Sequence, residues 1–364
     1  MTDGVKNRIV VAACAAIFLG TLVLGAAERE PPGPLRIRDM TPPAILTLGF
    51  MPSSASLLAQ GSWCIETHYS SANIFLMSDE VGAYLKDRAD PVELSATDVR
   101  QIFDAAQGDI FYFDGEIGVF DIGAHYGVTD NVQVFFELPY YSFGGGNLDH
   151  MIMEFHDTFG IGQAGRDLVA RDQYQILMRL GDSEFSMLEA PEDGFGDPTI
   201  GLRHRIPFPG EGWSAAAEWA IKPAVCNTDC YRSNGHTDFG VQFMVEKLWT
   251  RNSLYFSGSY VWLGDFDLAD FSPSDVPSAT LAYTYRFTDT LTGVVQGLVS
   301  RSIFANETSS DLSSIEYQFS FGLRYRYQNA LISFALTENI ANYQNTPDIG
   351  FHIGVCYVFG LDDS

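Results

Sequence analysis

The sequence predicts an all-β protein, a transmembrane antiparallel β-barrel of about twelve strands. Three observations support this prediction: apolar and polar residues alternate over long stretches, short and long connections alternate strictly, and the first residues resemble an export signal. The chain has 364 residues with 34 glycines; 13% of its residues are aromatic and 18% are charged. These proportions are typical of a long, aromatic-rich β protein.

The clearest alternation lies in residues 315–327. One face carries Ile, Phe, Leu and Tyr at every second position, and the other carries Glu316, Arg324 and Arg326. A strand that crosses a bilayer at a tilt needs about nine to eleven residues, whereas strands of soluble sheets usually have about five or six. The length favours a membrane strand whose aromatic face contacts lipid and whose arginines face a polar lumen.

The same two-residue period predicts the other strands and their connections. The predicted strands cover residues 61–75, 114–127, 131–143, 196–206, 213–223, 238–249, 253–263, 278–288, 291–302, 314–327, 330–337 and 348–359. Tight turns rich in Asn, Asp and Gly alternate with longer polar connections, of which 76–109 and 144–195 are much the longest. Outer-membrane barrels combine short periplasmic turns with long external loops in this way.

The N-terminal residues predict export and a separate segment before the barrel. Lys6 and Arg8 precede an apolar run that ends in small residues, so residues 1–27 are a predicted signal peptide. Residues 28–60 are rich in proline and apolar side chains and form a candidate lumen plug, and residues 61–364 form the predicted barrel domain. The net charge of -25 opposes binding to phosphate backbones, so we expect no nucleic-acid partner.

Two stretches within the long connections have helical features. Ser95 and Asp98 have the spacing of a capping box, which predicts a short helix after Ser95. Leu168, Tyr174 and Leu177 have helical spacing and predict a second helix. We therefore expect external loops with short helices.

Charged residues on the inward faces are the candidate pore lining. They comprise the arginines Arg203, Arg205, Arg286, Arg324 and Arg326 and the glutamates Glu66, Glu218, Glu246 and Glu316. The arginines lie near the short-turn ends of their strands, which predicts a basic cluster in the lumen. Such a cluster could form an anion-selective constriction, or it could be a buried ion-pair network that fills a small barrel.

One long loop carries residues that a hydrolase could use. They are His150, His156, Asp157 and Asp167. Their spacing matches no defined metal motif, so we predict no metal and no cofactor. The sequence also places no serine beside them that could act as the nucleophile of a lipase. An enzyme that acts on lipid or an envelope polymer through residues 150–167 remains an alternative function.

The mature chain keeps four cysteines that an oxidising compartment could pair. Cys226 and Cys230 could close a small external loop. Cys64 and Cys356 lie on the first and last predicted strands and face inward, and these strands are neighbours in a closed barrel. We therefore predict that Cys64 and Cys356 lie close enough for a disulfide.

Several stretches resemble a family of exported Gram-negative proteins known only as a domain of unknown function. They read PLRIRDMTPPAILTLGFMPSSA, GVFDIGAHYGVTDNVQVFFELPYY, FHDTFGIGQAGRDLV and ENIANYQNTPDIGFHIGVCYVF. The resemblance covers nearly the whole mature chain and implies an outer-membrane barrel with no established activity. GFGDPTIGLRHRI also resembles a strand motif of outer-membrane channels for aromatic compounds.

These observations predict a passive channel or substrate-specific pore in the bacterial outer membrane. The expected partners are outer-membrane lipid, the barrel-assembly machinery and a small solute. A second alternative is a structural or adhesive surface barrel without an open pore.

Overall fold

The structure is a computed structural model. It describes residues 33–360 except 89, 107, 161, 227–230, 267–271, 308–309 and 340–344. The predicted signal peptide and Cys230 lie outside the described residues.

Strands dominate the described part of the chain. The strands are β1 Trp63–Met77, β2 Ile110–Thr129, β3 Val132–Gly144, β4 Gln175–Leu180, β5 Ser183–Met187, β6 Gly194–Phe195, β7 Thr199–Ile206, β8 Trp213–Lys222, β9 Asp238–Leu248, β10 Asn252–Trp262, β11 Val276–Arg286, β12 Leu291–Ser300, β13 Glu316–Tyr327, β14 Ala330–Glu338 and β15 Ile349–Phe359. The helices are α1 Asp79–Lys86, α2 Ala96–Ala105, α3 Leu148–Phe159 and α4 Ser310–Ser313, with 3-10 turns at Ala44–Leu46 and Arg166–Leu168.

The first and last strands close the sheet into a barrel. β1 pairs with β2 on one side and with β15 on the other, where Trp63 lies opposite Phe359. β2 pairs with β3, β3 with β7, and each strand from β7 to β15 with the next, all antiparallel. Within the described residues, β1 to β3 and β7 to β15 thus form a closed barrel of twelve strands, which confirms the predicted fold.

The barrel has two unlike ends. Tight turns such as the one between β13 and β14 lie at one end, here called the short-turn end, and the longer connections lie at the other, the long-loop end. The predicted strands match the observed ones closely. The largest differences are that β2 begins earlier, at Ile110, and that β7 begins later, at Thr199.

Side chains of opposite character occupy the two faces of the barrel wall. On β13, Phe319 and Phe321 are 38% and 43% exposed, whereas Arg324 is only 5% exposed. The same alternation recurs on β9, where Phe243 is exposed and Gln242 is buried. A soluble protein rarely exposes so large an apolar surface, and a barrel in lipid requires one.

A second layer covers part of the long-loop end. The first residues of β2 extend beyond the barrel and pair with β4, which in turn pairs with β5. Helices α1 and α2 pack on this extension through buried residues that include Val81, Leu85, Ile102 and Leu177. The longest loops are therefore folded structures.

One of the two predicted loop helices is present. Ser95 caps α2 with the expected capping box, in which its side chain accepts from the backbone N–H of Asp98. The Ser95 hydroxyl lowers the pKa of the Asp98 carboxyl, since it hydrogen-bonds the charged form.

The second predicted helix is wrong. After a 3-10 turn at Arg166–Leu168, residues Gln175–Leu180 form strand β4. The extended part of β2 offers an unpaired edge, and pairing with that edge satisfies the backbone of β4 while burying Leu177. Tertiary pairing therefore overrides a weak helical spacing. Helix α3, which holds His150 and His156, was not predicted from the sequence.

In the described part of the chain, no helix is both long enough and apolar enough to cross a membrane.

The outward aromatic row predicts that substitution of its residues by arginine destabilises the barrel. The loss of stability should depend on the depth of the residue in the bilayer. Phe321→Arg in the middle of β13 is expected to lower the free energy of unfolding by about 2–4 kcal/mol in lipid vesicles, because the arginine would face hydrocarbon. Tyr327→Arg at the end of the same strand should cost at most about 1 kcal/mol. Urea unfolding of vesicle-inserted protein measures both values, and equal costs would contradict a lipid-facing row.

Candidate functional site in the barrel lumen

Residues 33–62, here called the inner segment, run up and down inside the barrel. The segment starts near the short-turn end, where Gly33 donates its N–H to the Tyr255 hydroxyl of β10 at 3.2 Å. It reaches the long-loop end, where Leu48 donates its N–H to Asp238 at 2.9 Å. It then returns to the short-turn end, where Leu58 bonds Gln133 at 3.0 Å, and leads into β1.

Two arginines join the inner segment to carboxylates of the barrel wall. The Arg36 guanidinium contacts Glu66 of β1 at 2.7 Å and Glu137 of β3 at 2.6 Å. The Arg38 guanidinium forms a two-point pair with Asp121 of β2, at 2.7 and 3.2 Å. All of these groups are largely buried, so each charge depends on its partner for stabilisation.

The returning half of the inner segment binds another wall carboxylate. Glu246 of β9 accepts hydrogen bonds from the Ser54 hydroxyl at 2.6 Å, the Ala55 N–H at 3.1 Å and the Ser56 hydroxyl at 2.7 Å. The carboxylate is 1% exposed. Three donors from one short stretch therefore anchor this half to the side of the barrel far from β1.

The tip of the inner segment packs in an apolar cluster toward the long-loop end. Its members from the segment are Met40, Ile45 and Leu46, and they pack with residues of β1, β2, β3 and the long loops, including Ile74, Phe111, Tyr141, Ile303 and Leu312. The Tyr141 hydroxyl also donates to the Ile45 carbonyl at 2.7 Å. This cluster makes part of the long-loop end apolar, although buried carboxylates such as Asp238 and Glu316 also lie at that end. The half of the lumen near the short turns, here called the polar half, is lined mainly by polar groups.

A cavity of about 130 Å³ lies between the inner segment and the wall in the polar half. Serines 53, 54, 56 and 333 line it together with charged or titratable side chains. These are Arg36, Glu66, His68, His125, Arg203 and Arg324. The cavity is the candidate functional site, because it gathers charged groups of the wall and the segment around an open space.

The structure brings only two of the five predicted arginines into this cavity. Arg203 pairs with Glu218 at 2.5 Å and also donates to the Ser54 carbonyl at 3.4 Å. Arg324 is buried and lines the cavity without a carboxylate within ion-pair distance among the described residues.

The remaining three arginines lie nearer the turns. Arg205 is exposed, Arg286 donates to the Thr250 carbonyl of a turn, and Arg326 is partly exposed beside Tyr327. The predicted five-arginine cluster is therefore corrected to Arg203 and Arg324. Strand alternation gives the face of a side chain but does not show how far a long side chain near a turn reaches into solvent.

Several groups of this site were not predicted from the sequence. Arg36 comes from the inner segment, and no alternation marked it as a partner of the wall. His68 and His125 contact Glu66 at 3.3 and 3.0 Å. Their inward parity on β1 and β2 was a usable signal, because both share the lumen face with Glu66.

The four predicted glutamates have different surroundings. Glu66, Glu218 and Glu246 contact Arg36, Arg203 and the inner-segment serines, respectively. Glu316 is buried at the long-loop end of β13, next to the exposed Tyr317. The first three glutamates are each bound to an arginine or to the serines of the inner segment. They therefore do not line the polar half as free carboxylates.

The external-loop residues do not converge on one point. His150 contacts Glu154 at 3.4 Å with both side chains mostly exposed. Asp157 accepts from Gln163 at 2.6 Å, and Asp167 is exposed. His156 is half-buried, and its Nδ1 has no hydrogen-bond partner among the described residues. This arrangement does not assemble a nucleophile, base and orienting group.

Two groups of three potential metal ligands occur among the described residues, and both include Glu66. In each group the ligand atoms lie within 4.8 Å of one another. The first group is Glu66, His125 and Glu137, but the Arg36 guanidinium already contacts both carboxylates there. The positive charge of Arg36 therefore occupies the position that a metal cation would take in this group.

The second group contains Cys64 and Cys356, whose sulfur atoms therefore approach within 4.8 Å across the β1–β15 pairing. Both are free thiols in the structure. An S–S bond is about 2.05 Å long, so the disulfide stays a prediction. The predicted partner of Cys226, Cys230, is not described.

We expect mild oxidation to join Cys64 to Cys356, because the closed barrel holds both thiols beside each other. Diamide treatment should protect both from maleimide labelling in the folded protein, and mass spectrometry of a digest should find the linked peptides. In Cys64→Ser, Cys356 should stay reactive after the same treatment. Equal labelling of the wild-type protein before and after oxidation would count against the bond.

The fold and its lumen define a class of protein. A closed antiparallel barrel with an exposed aromatic belt and a charged interior is the architecture of outer-membrane barrels. The sequence of residues 10–359 matches the family described as "Protein of unknown function (DUF3187)", and the chain belongs to this family. A search of curated proteins found no match.

Three solved structures show different degrees of similarity to this chain. The COG4313 outer membrane channel from Pseudomonas putida F1 has a TM-score of 0.52 and 13% identity, and the match covers 85% of this chain and 100% of that chain. The P. putida toluene transporter TodX has a TM-score of 0.38 and 9% identity, with 83% and 89% covered. Salmonella typhi OmpF has a TM-score of 0.31 and 9% identity, with 84% and 100% covered.

The pair of Arg38 and Asp121 predicts how firmly the inner segment is held. Arg38→Met should lower the free energy of unfolding by roughly 3 kcal/mol, because it leaves the buried Asp121 carboxylate without its partner. Urea unfolding of the purified barrel measures this change. The double variant Arg38→Met, Asp121→Leu should recover most of the loss, and an unaffected single variant would mean that the pair is hydrated and weak.

Proposed function

We propose that the protein is an outer-membrane diffusion channel for a small solute and that residues 33–62 block its lumen at rest. Passage then requires the inner segment to move. The bacterial outer membrane is the proposed location, and its lipid and the barrel-assembly machinery are proposed partners.

One observation carries this proposal: over most of the length of the inner segment, each described hydrogen bond to the barrel wall involves at least one side chain, and none joins backbone to backbone. Within the described residues 33–60, the backbone–backbone hydrogen bonds outside regular elements stay within the segment, as between Ile45 and Thr41. In the described residues, the wall strands pair with one another and, at the long-loop end, with β4 and β6, but not with the inner segment. The segment can therefore leave without breaking the hydrogen bonds that close the barrel.

The contacts of the inner segment span the lumen. Gly33 bonds Tyr255 of β10, while Arg36 bonds Glu66 of β1, which lies on the opposite side of the twelve-stranded ring. Leu35 adds a third direction, since its carbonyl accepts from Gln296 of β12 at 3.2 Å. A solute that crosses the lumen must displace this segment.

The wall groups that displacement would expose are polar and ionisable. Glu66, Asp121, Glu137 and Glu246 would then line a hydrated path. Water can solvate these carboxylates once the segment is gone, so the open state does not require buried unpaired charge. This supports a channel rather than a barrel with a solid core.

Planar-bilayer conductance of the purified protein tests the proposal. We expect low conductance with rare openings for the mature chain, and a conductance at least about tenfold higher for a variant that lacks residues 28–58, as expected when a pore filled by side chains becomes a water-filled one. Arg38→Met should open more often than the mature chain, because its segment is held less firmly.

Two outcomes would contradict the proposal. If the truncated barrel inserts and shows no conductance, the barrel is structural, and the contacts that span the lumen favour this second candidate function. If the mature chain conducts steadily and truncation changes nothing, the inner segment is not the block. Both proteins must be folded before they are added to the bilayer. Resistance to unfolding in detergent at room temperature checks this for each protein.

A further inference from the structure

We propose that the cavity beside Arg324 binds a small oxyanion, a carboxylate or a phosphate, between the barrel wall and the inner segment. The site is independent of whether the barrel conducts. Such a ligand would contact both the wall and the segment, so its binding would hold the segment in place.

The charge of Arg324 is unmatched among the described residues. Its side chain is 5% exposed, and no carboxylate of the described residues lies within ion-pair distance of it. The neighbouring cations differ: Arg203 has Glu218, and Arg36 has Glu66 and Glu137. A buried cation without a counter-charge is costly, and a bound anion would remove that cost.

Polar nitrogen atoms without hydrogen-bond partners among the described residues surround the same space. The Nε–H groups of Arg324 and Arg36 are buried and have no hydrogen-bond partner among the described residues. The same is true of the Nε2 atom of His68, which donates in one neutral tautomer and when the ring is protonated. His68 Nε2 lies 3.3 Å from Glu66 but without hydrogen-bonding geometry. All three side chains line the cavity. Buried donors without partners are rare in folded proteins and point to an acceptor that completes them.

The size and lining of the cavity fit a small oxyanion. Its volume of about 130 Å³ suits a ligand of a few heavy atoms. The hydroxyls of Ser54 and Ser333 and the side chain of Arg203 add further polar lining. An oxyanion has several acceptor oxygens and can bond donors from different directions, as guanidinium groups prefer.

Water is the competing occupant. The cavity is polar and large enough for several water molecules, which could satisfy the free N–H groups. Water cannot neutralise the charge of Arg324, however. Binding of an oxyanion should therefore depend on the charge of Arg324, whereas occupancy by water should not.

Isothermal titration calorimetry of the mature chain in detergent tests the proposal, with inorganic phosphate and acetate as probes at constant ionic strength set by chloride. We expect at least one probe to bind at a single site. Arg324→Met should weaken that binding at least about tenfold, since it removes a charge-assisted hydrogen-bond donor. Arg324→Lys keeps the charge and should lose less.

Arg205→Met is the matched control, because Arg205 is exposed near the same end of the barrel and does not line the cavity. It should bind as the wild-type protein does. Phosphate binding with acetate excluded would assign the ligand as a phosphate, and the reverse would assign a carboxylate. Either result supports the site.

Two results would overturn it. If neither probe binds the wild-type protein, the cavity holds water, and this result stands even if Arg324→Met fails to fold. If Arg324→Met and Arg205→Met weaken binding equally, the anion does not bind in the cavity beside Arg324. A conductance failure would leave the calorimetric result untouched, so the two proposals fail separately.

Discussion

The structure depends on one constraint: a bilayer offers no hydrogen-bond partners to a peptide backbone. Every strand that crosses it must therefore pair on both edges, which is possible only if the sheet closes. The pairing of β1 with β15 meets this requirement. Once the sheet closes, each strand has a lipid side and a lumen side, and the alternation of residues follows. The exposed aromatic row of β13 and its buried Arg324 are two consequences of the same closure.

Closure also creates a problem inside the barrel. Inward positions carry Glu66, Asp121, Glu137 and Glu246, and a narrow lumen cannot hydrate all of them when it is filled. The inner segment supplies two arginines and a group of serine donors that match these acids in position. The segment and the wall are therefore electrostatically complementary. Side-chain contacts of this kind can be exchanged for water, whereas the wall's backbone ladder stays intact.

The polar contents of the lumen are not uniform. The tip of the inner segment is apolar and packs beneath the long loops, while its ends lie among charges near the short turns. The cavity at Arg324 lies in the polar half of the lumen. The inner segment supplies no carboxylate to this arginine among the described residues. A bound anion would contact both the barrel wall and the inner segment. Its binding would therefore depend on the position of the segment.

The sequence by itself determined the barrel, the strand order and the face of each side chain. A two-residue period needs only the chain, and the strict alternation of turns and loops follows from the antiparallel path. It also located the capping box of α2, because that signal is local. The tertiary structure decided what distant residues do: β4 is a strand because β2 offers an edge, Arg36 reaches Glu66, and Arg286 bonds a turn instead of the lumen. These outcomes depend on depth along the barrel and on partners far apart in the chain, and no local pattern encodes either.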